Sequence, residues 1–238
     1  GELYDYLREK DDSTVFIHHD NVYLMDISRG LNLIPYGSEN SLYVNGHVTG
    51  NSPYLTFEWK AGKDGNLHQV QTQLIGEYNF PNALAAVTIG RFFGVESSKI
   101  DEALAGYTPR NNRSQLKKTA DNTLIIDAYN ANPTSMMAAL QNFRNMTVER
   151  KMLILGDMRE LGAESAAEHH KIVEYLQECS FEKVLLVGEL FASTNPPYPT
   201  YANAQELIKD LQTEKPQGYT ILIKGSNGIK LSTVVEFL

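Results

Sequence analysis

The sequence predicts an α/β protein. A Rossmann-like, doubly wound domain fills its C-terminal half, and a smaller β-rich region that ends in helices precedes it. Three observations carry this reading. From about residue 114 onward, short apolar runs alternate with amphipathic segments. The runs MLILG, VLLVG and ILIKG are almost continuously apolar, as strands covered on both faces of a parallel sheet must be. Residues 13–75 differ: brief β-prone segments are separated by Gly, Asn, Pro and Ser. The polar, Pro-containing GYTPRNNRS reads as a linker between the halves, which gives expected domains 1–109 and 110–238.

Taken in order, helix-forming residues begin at the second position. STVFIH, NSLYV, PYLTFEW and HQVQTQLI read as strands, with turn chemistry in SRG, PYGSEN, VNGHVTGNSP and KAGKDGN. In HQVQTQLI, Val70, Thr72 and Leu74 alternate with Gln69, Gln71 and Gln73, so one face is solvated. NALAAVTIGRFF (82–93) reads as a helix stopped by Gly94, and Ser97 or Ser98 is placed to cap a second helix ending near Gly106. In the second half, QLKKT and NTLIIDA are expected strands. PTSMMAALQNFRNM is a helix with Pro133 at its start and Met136, Leu140 and Phe143 on one face. KMLILGDM runs from strand into turn. ESAAEHHKIVEYLQE carries the stripe Ala166, His169, Val173 and Leu176. KVLLVG, NAQELIKDLQ, YTILIKG and LSTVVEFL continue the alternation as strand, helix, strand and helix.

Composition removes several function classes. The 238 residues are 42% hydrophobic and 21% charged, the ordinary balance of a packed globular chain. No run approaches the ~18 apolar residues of a spanning helix. A net charge of −8 argues against non-specific nucleic-acid binding, which needs a basic face. The single cysteine, Cys179, excludes a disulfide scaffold and a Cys-rich zinc site and fits a reducing cytoplasm. The opening GELYDYLREKDDS is not expected to be a signal peptide. It has no starting Met, so a longer parent chain is expected.

In doubly wound sheets ligands sit beyond the carboxyl ends of the strands. Those ends carry DAYNANP (127–133), GDMREL (156–161), GEL (188–190) and KGSNG (224–228). Neither G-x-x-x-x-G-K-[ST] nor G-x-G-x-x-G occurs. KGSNG reads either as a plain β–α turn or as an anion site in which Lys224 supplies charge. Asp127 leaves a hydrophobic strand at the ligand edge, which favours a functional role over an Asx-turn. Asn130 and Asn132 also suit the turn before Pro133. Asp157 and Glu160 suit a metal pair, an ammonium site or solvated helix-start acids; taken alone, the last is preferred. His169 shares an apolar stripe and reads as hydrogen-bonded and partly buried, with His170 exposed. His18, His19 and Asp20 alternate faces in a strand, which disfavours a metal cluster. Cys179 reads as a small buried hydrophobe. Asn79 and Asn82 either cap a helix or present amides to a heterocycle edge. Arg110 and Arg113 lie in the linker, either solvated or reaching phosphates.

Taken together, GEYNFPNALAA (76–86), Arg113, IDAYNANPTSM (126–136), LGDMRELG (155–162), His169 and KGSNG (224–228) occur in an order that resembles the Mur ligase family, the ATP-dependent amide ligases of peptidoglycan synthesis. The YNANP and LGDM-ELG phrases resemble its D-alanyl-D-alanine-adding branch, and the likeness runs from Gly1 to Leu238. It implies that 1–109 is the C-terminal part of the central ATP-binding domain and 110–238 the C-terminal ligase domain. Gly1-Glu2-Leu3-Tyr4 looks like the remainder of a family phrase whose preceding lysine is carbamylated and metal-linked, with the phosphate loop and UDP-sugar domain further upstream. The chain alone is then expected to be inactive.

The implied reaction uses ATP and Mg2+ to activate a carboxylate of UDP-N-acetylmuramoyl-tripeptide as an acyl phosphate, which the amine of D-alanyl-D-alanine attacks. By resemblance Asn79 and Asn82 contact adenine, Asp127 the ribose and Arg113 the phosphates. Arg113 and Lys224 are the expected catalytic residues. Tyr129, Asn130, Asn132, Asp157, Glu160, His169, Lys224 and Ser226 are the expected substrate side of the cleft, and no metal ligand is expected. Relatives usually carry His at Tyr78, Asp-Asp-Ser at Ile126-Asp127-Ala128, Arg at Asn227 and often Asn at His18. The resemblance further implies a cytoplasmic monomer that binds neither nucleic acid nor membrane. The competing readings are another amide ligase of the superfamily, such as a folylpolyglutamate synthase, and a non-catalytic binding module.

Overall fold

A computed structural model describes the chain except for Ser52 (in the expected VNGHVTGNSP turn), Lys63 and Asp64 (in KAGKDGN) and Asn111 (in the linker). The chain divides into two compact units, Gly1–Tyr107 and Thr108–Leu238, so the observed division falls two residues before the expected start at 110. Among the described residues no helix is long and apolar enough to cross a membrane.

The first unit contains α1 (Glu2–Arg8), β1 (Thr14–His18), α2 (Val22–Ile27), β2 (Asn32–Gly37), β3 (Val44–Asn51), β4 (Tyr54–Ala61), β5 (His68–Ile75), a 3-10 turn at Glu77–Asn79, α3 (Phe80–Phe92) and α4 (Ser97–Gly106). Its sheet has the order β1-β2-β3-β4-β5, parallel across the first three strands and antiparallel thereafter. Burial in β5 alternates as the sequence requires: Val70 and Thr72 face inward, and Gln69, Gln71 and Gln73 face solvent. Gly94 stops the helix at φ +77°.

Four local expectations change. The VNGHVTGNSP turn is mostly strand β3, because its glycines serve the sheet. A Cβ on Gly46 would lie 2.5 Å from the Glu58 carbonyl oxygen, so Gly permits the close approach to β4, and a register shift at Val48/Gly50 marks a bulge. NSLYV reaches the sheet only at Val44. PYG of the expected PYGSEN turn ends β2, and Pro35 sits where β3 is not yet paired with β2. Ser97 and Ser98 are already helical in α4; Glu96 holds the cap position without a side-chain bond. The unexpected α2 starts at Asn21, whose side chain accepts a hydrogen bond from the Leu24 N–H.

The core of this unit packs Val44, Leu55, Phe57, Trp59 and Val70 of the sheet with Ala83, Leu84 and Val87 of α3 and Ile100 of α4. One polar group anchors α4 to it. Asp101 accepts from the buried Trp59 Nε1–H at 2.8 Å and bonds His68 Nδ1 at 2.7 Å, and the His68 ring stacks on Trp59 with centroids 4.3 Å apart. Phe16 of β1 forms an aromatic group with Phe92 and Phe93, the last 71% exposed.

The second unit contains β6 (Gln115–Lys118), β7 (Thr123–Asp127), α5 (Pro133–Asn145), β8 (Lys151–Gly156), a 3-10 turn at Gly162–Glu164, α6 (Ser165–Gln177), β9 (Lys183–Val187), α7 (Glu189–Ala192), β10 (Thr200–Tyr201), α8 (Ala204–Thr213), β11 (Thr220–Lys224) and 3-10 segments at Asn227–Ile229 and Leu231–Phe237. Its sheet order is β10-β9-β8-β11-β7-β6, parallel except for β6 against β7. One face packs Leu124, Ile126, Ile154, Leu185, Ile221 and Ile223 with Leu207 and Leu211 of α8 and with Val234. Alternate side chains Ile125, Leu153, Leu155 and Leu222 point the other way. They are equally buried, as are Met136, Leu140 and Phe143 of α5 and Ile172, Val173 and Leu176 of α6. Burial on both faces explains the continuous apolar runs. The architecture is the doubly wound α/β layer that the pattern predicts.

In α6 the buried stripe is His169, Ile172, Val173 and Leu176, while Ala166 is exposed; the stripe begins one turn later than expected. LSTVVEFL is 3-10 rather than α-helical. Its β-branched Thr233, Val234 and Val235 disfavour the α-helix, and Lys230 enters it at φ +60°. The short α7 and β10 are additions, and α7 depends on Asp157. Asp157 Oδ2 accepts from the Leu190 N–H at 3.0 Å and Oδ1 from the Phe191 N–H at 2.9 Å. Gly188 makes this possible: its φ is +124°, and a Cβ there would fall 2.1 Å from Asp157 Oδ2.

Gly188→Ala therefore strains the backbone and displaces the Asp157 cap. A loss of about 2–4 kcal/mol in the stability of the second unit is expected in urea denaturation. Asp101→Ala strands the buried Trp59 N–H and should cost the first unit about 1–3 kcal/mol, read as a lower urea midpoint for Trp59 fluorescence.

Candidate functional site

Strand β11 lies between β7 and β8, so the carboxyl ends of all three are neighbours. Parallel register sets Lys224 beside Asp127 on one side and Leu155 on the other. The 2%-exposed Lys224 ammonium donates to Asp127 Oδ2 at 2.6 Å and to the Asn130 carbonyl at 3.4 Å. Asp127 Oδ1 accepts from the Ser114 N–H at 3.2 Å. The lysine expected to supply charge to a ligand thus spends it first on Asp127, and the pair joins two strand ends to the segment that enters the unit. Near-complete burial of Lys224 makes it depend on Asp127: without that carboxylate the ammonium would keep only the Asn130 carbonyl.

The next strand end is a loop held from below. Asp157 is 4% exposed and engaged with α7, so the solvated-acid reading fails for it, and its carboxylate faces the scaffold. His169 is fully buried. Its Nε2 accepts from the Met158 N–H at 3.0 Å, and Nδ1 lies 2.7 Å from the Ser165 carbonyl, which fixes a neutral ring with the proton on Nδ1. The ring packs edge-on against Phe191 at 4.7 Å. His169 was an expected substrate contact; its burial makes it a support for the loop instead. Ser226 ties the loop to β11. Its hydroxyl accepts from the Arg159 N–H at 2.8 Å, and its own N–H donates to the Asp157 carbonyl at 3.1 Å.

Above this scaffold lies a cleft of about 410 Å³ lined by Tyr129, Asn130, Arg159, Glu160, Ser226, Asn227 and Gly228. The structure thus brings together four of the expected substrate residues, Tyr129, Asn130, Glu160 and Ser226. Glu160 has φ +68°, a left-handed turn in the loop. The exposed Arg113 guanidinium lies over the Tyr129 ring at 4.0 Å, a cation–π contact at the lip. Asn132 is outside the lining. It caps α5 in a reciprocal capping box with Ser135, the plainer of its two readings. Arg159, which lines the cleft, stands between the two acids of GDMREL, where its charge is the signal that marks it in the sequence.

A larger concavity of about 460 Å³ lies at the opposite end of the sheet, around Asn122, Arg150 and Tyr219. There Arg150 pairs with Glu182 at 2.5 Å and stacks on Tyr219, and the guanidinium holds the Glu182 carboxyl below its usual range. Its charges satisfy one another, and strand geometry favours the carboxyl edge.

In the first unit, Asn79 does not cap α3; its amide N–H donates to the Ile75 carbonyl at 2.8 Å. Asn82 is exposed, as is Arg110 in the second unit. His18 and His19 lie 3.7 and 3.9 Å from Asp20, whose carboxylate accepts from the Ser38 N–H. Cys179 is half-buried.

The family described as "Mur ligase, glutamate ligase domain" matches residues 112–227. The UDP-N-acetylmuramoyl-tripeptide–D-alanyl-D-alanine ligase of Escherichia coli (strain K12) is 33% identical over 200 residues, covering 82% of this chain and 43% of the relative. The enzyme of the same name from Bacillus subtilis (strain 168) is 32% identical over 176 residues, covering 69% and 38%. The chain therefore spans less than half the length of these curated relatives. Among solved structures, MurF from Acinetobacter baumannii superposes with a TM-score of 0.78 at 25% identity, over 99% of this chain and 53% of that one. MurF ligase from Thermotoga maritima in complex with ADP shares the fold with a TM-score of 0.79 at 19% identity, over 96% and 53%. From its matched domain, its relatives and its fold, the chain belongs to the Mur ligase family.

Proposed function

We propose that this chain is the C-terminal part of an ATP-dependent ligase that joins D-alanyl-D-alanine to UDP-N-acetylmuramoyl-tripeptide in peptidoglycan synthesis. The observation that carries the reading is the polar cleft at the carboxyl edge, built on the Lys224–Asp127 pair, in a chain similar over 82% of its length to a ligase of that name. In this reaction a tripeptide carboxylate oxygen attacks the γ-phosphorus of ATP and ADP leaves. The dipeptide amine then attacks the acyl carbon, loses its proton, and inorganic phosphate departs as the amide forms.

Each residue takes the part its surroundings support. In the first unit, Asn82 presents an exposed amide, and Asn79, three residues earlier, spends its N–H on the Ile75 carbonyl and keeps its amide oxygen for adenine. In the second unit, Arg113 is an exposed guanidinium at the cleft lip and fits phosphate oxygens. Asp127 fits a ribose hydroxyl through the acceptor capacity that Lys224 and Ser114 leave. Tyr129, Asn130, Glu160 and Ser226 fit the dipeptide, and Lys224, which reaches the Asn130 carbonyl from outside the lining, fits charge that develops there. Asn132, Asp157 and His169 set the frame. Among the described residues no three His, Cys, Asp or Glu side chains gather to hold a metal ion. A cytoplasmic, monomeric enzyme completes the reading.

The test is product analysis by mass spectrometry with the full-length gene product, ATP, the tripeptide substrate and a panel of acceptors. Ligation of D-alanyl-D-alanine in preference to glutamate or single amino acids is expected; preference for glutamate would replace the reading with that of a folylpolyglutamate-type ligase. The 238-residue chain by itself is expected to show no ligation. Lys224→Ala should abolish ligation and also destabilise the second unit by about 3–5 kcal/mol in urea, because Asp127 is left as an unpaired charge.

A further inference from the structure

We infer that Arg159 and Glu160 form a subsite for the two charged ends of a zwitterionic acceptor, with Arg159 taking its carboxylate and Glu160 its ammonium. The inference rests on the proposed ligase reading and names the residue that reads the acceptor's far end. Both side chains line the same cleft of about 410 Å³, within the size range of small-ligand sites. They are adjacent in sequence and opposite in charge, yet they form no ion pair with each other, and among the described residues neither side chain has an ion-pair or hydrogen-bond partner.

The backbone around them, by contrast, is fixed. The Arg159 N–H is held by Ser226, the Met158 N–H by the buried His169, and the chain turns through the left-handed region at Glu160. A rigid loop thus presents a free guanidinium and a free carboxylate to one cavity. This is the complement of a molecule that carries one carboxylate and one ammonium.

The position of the guanidinium has its own cause. A Cβ on Gly228 would come within 2.6 Å of Arg159 Nη1, so the missing side chain at 228 is what lets the guanidinium lie against that wall. Arg159 is exposed, and its removal leaves no hole in the core. Gly228→Ala keeps the charge and displaces only the flexible end of Arg159.

The experiment is steady-state ligation by the full-length gene product with D-alanyl-D-alanine and with its C-terminal amide, which lacks the carboxylate. Arg159→Gln should raise KM for the dipeptide roughly tenfold or more, the worth of one charge-assisted contact, with kcat and KM for ATP little changed. Gly228→Ala should raise the same KM. With the amide acceptor, wild type should already show the raised KM, and Arg159→Gln should add nothing to it. An unchanged dipeptide KM in Arg159→Gln, or an equal loss with the amide, would overturn the subsite while leaving the ligase reading in place. Absence of ligation by the wild-type enzyme overturns both.

Discussion

The second unit is organised by the register of β11 between β7 and β8. Parallel strands in register bring residues of equal height side by side, so a lysine that ends one strand meets an aspartate that ends the next. A slip by one residue would send Lys224 to the other face of the sheet and leave Asp127 alone. The strands are apolar and buried on both faces, so a slip would exchange one apolar row for another and its cost would fall on Lys224. The charge pair at the ligand edge is thus one of the features that fix the register.

A second layer of polar groups carries this order outward. Asp157 and His169 stay out of the cleft lining and Ser226 is part of it; all three hold backbone N–H groups, those of Leu190, Phe191, Met158 and Arg159. Buried polar side chains that satisfy backbone donors fix a loop more firmly than apolar contacts do, because each lost bond leaves a buried donor unpaired. Arg159 and Glu160 stand on that frame, and their side chains remain at liberty to meet a ligand.

Much of this was legible in the sequence. The apolar runs gave the parallel sheet, and the polar residues at their carboxyl ends gave the ligand edge. The functional types were also visible, but their division into frame and lining was not. Asp157 and Glu160 look alike as acids three residues apart; only the fold shows that one points to α7 and the other lines the cleft. His169 illustrates the same limit, because periodicity places it on the buried stripe but cannot name Met158 as its partner. In the first unit, glycine misled: in VNGHVTGN it serves close strand contact and a bulge, and a single sequence offers the same letters for a turn. The short α7 and β10 carry too few residues for any period to show.

The two sheets differ in how their margins are finished. In the second unit, β6 ends in the exposed Lys117 and Lys118, and β10 is only two residues long, both devices that discourage a further strand from joining. In the first unit, β5 shows a row of glutamines at one margin. The other margin is β1, TVFIH, which pairs only with β2 among the described strands and carries no charged residue before His18. Beside it stand Phe16, Phe92 and Phe93. The second sheet thus finishes both margins with charge or brevity, whereas β1 carries neither device.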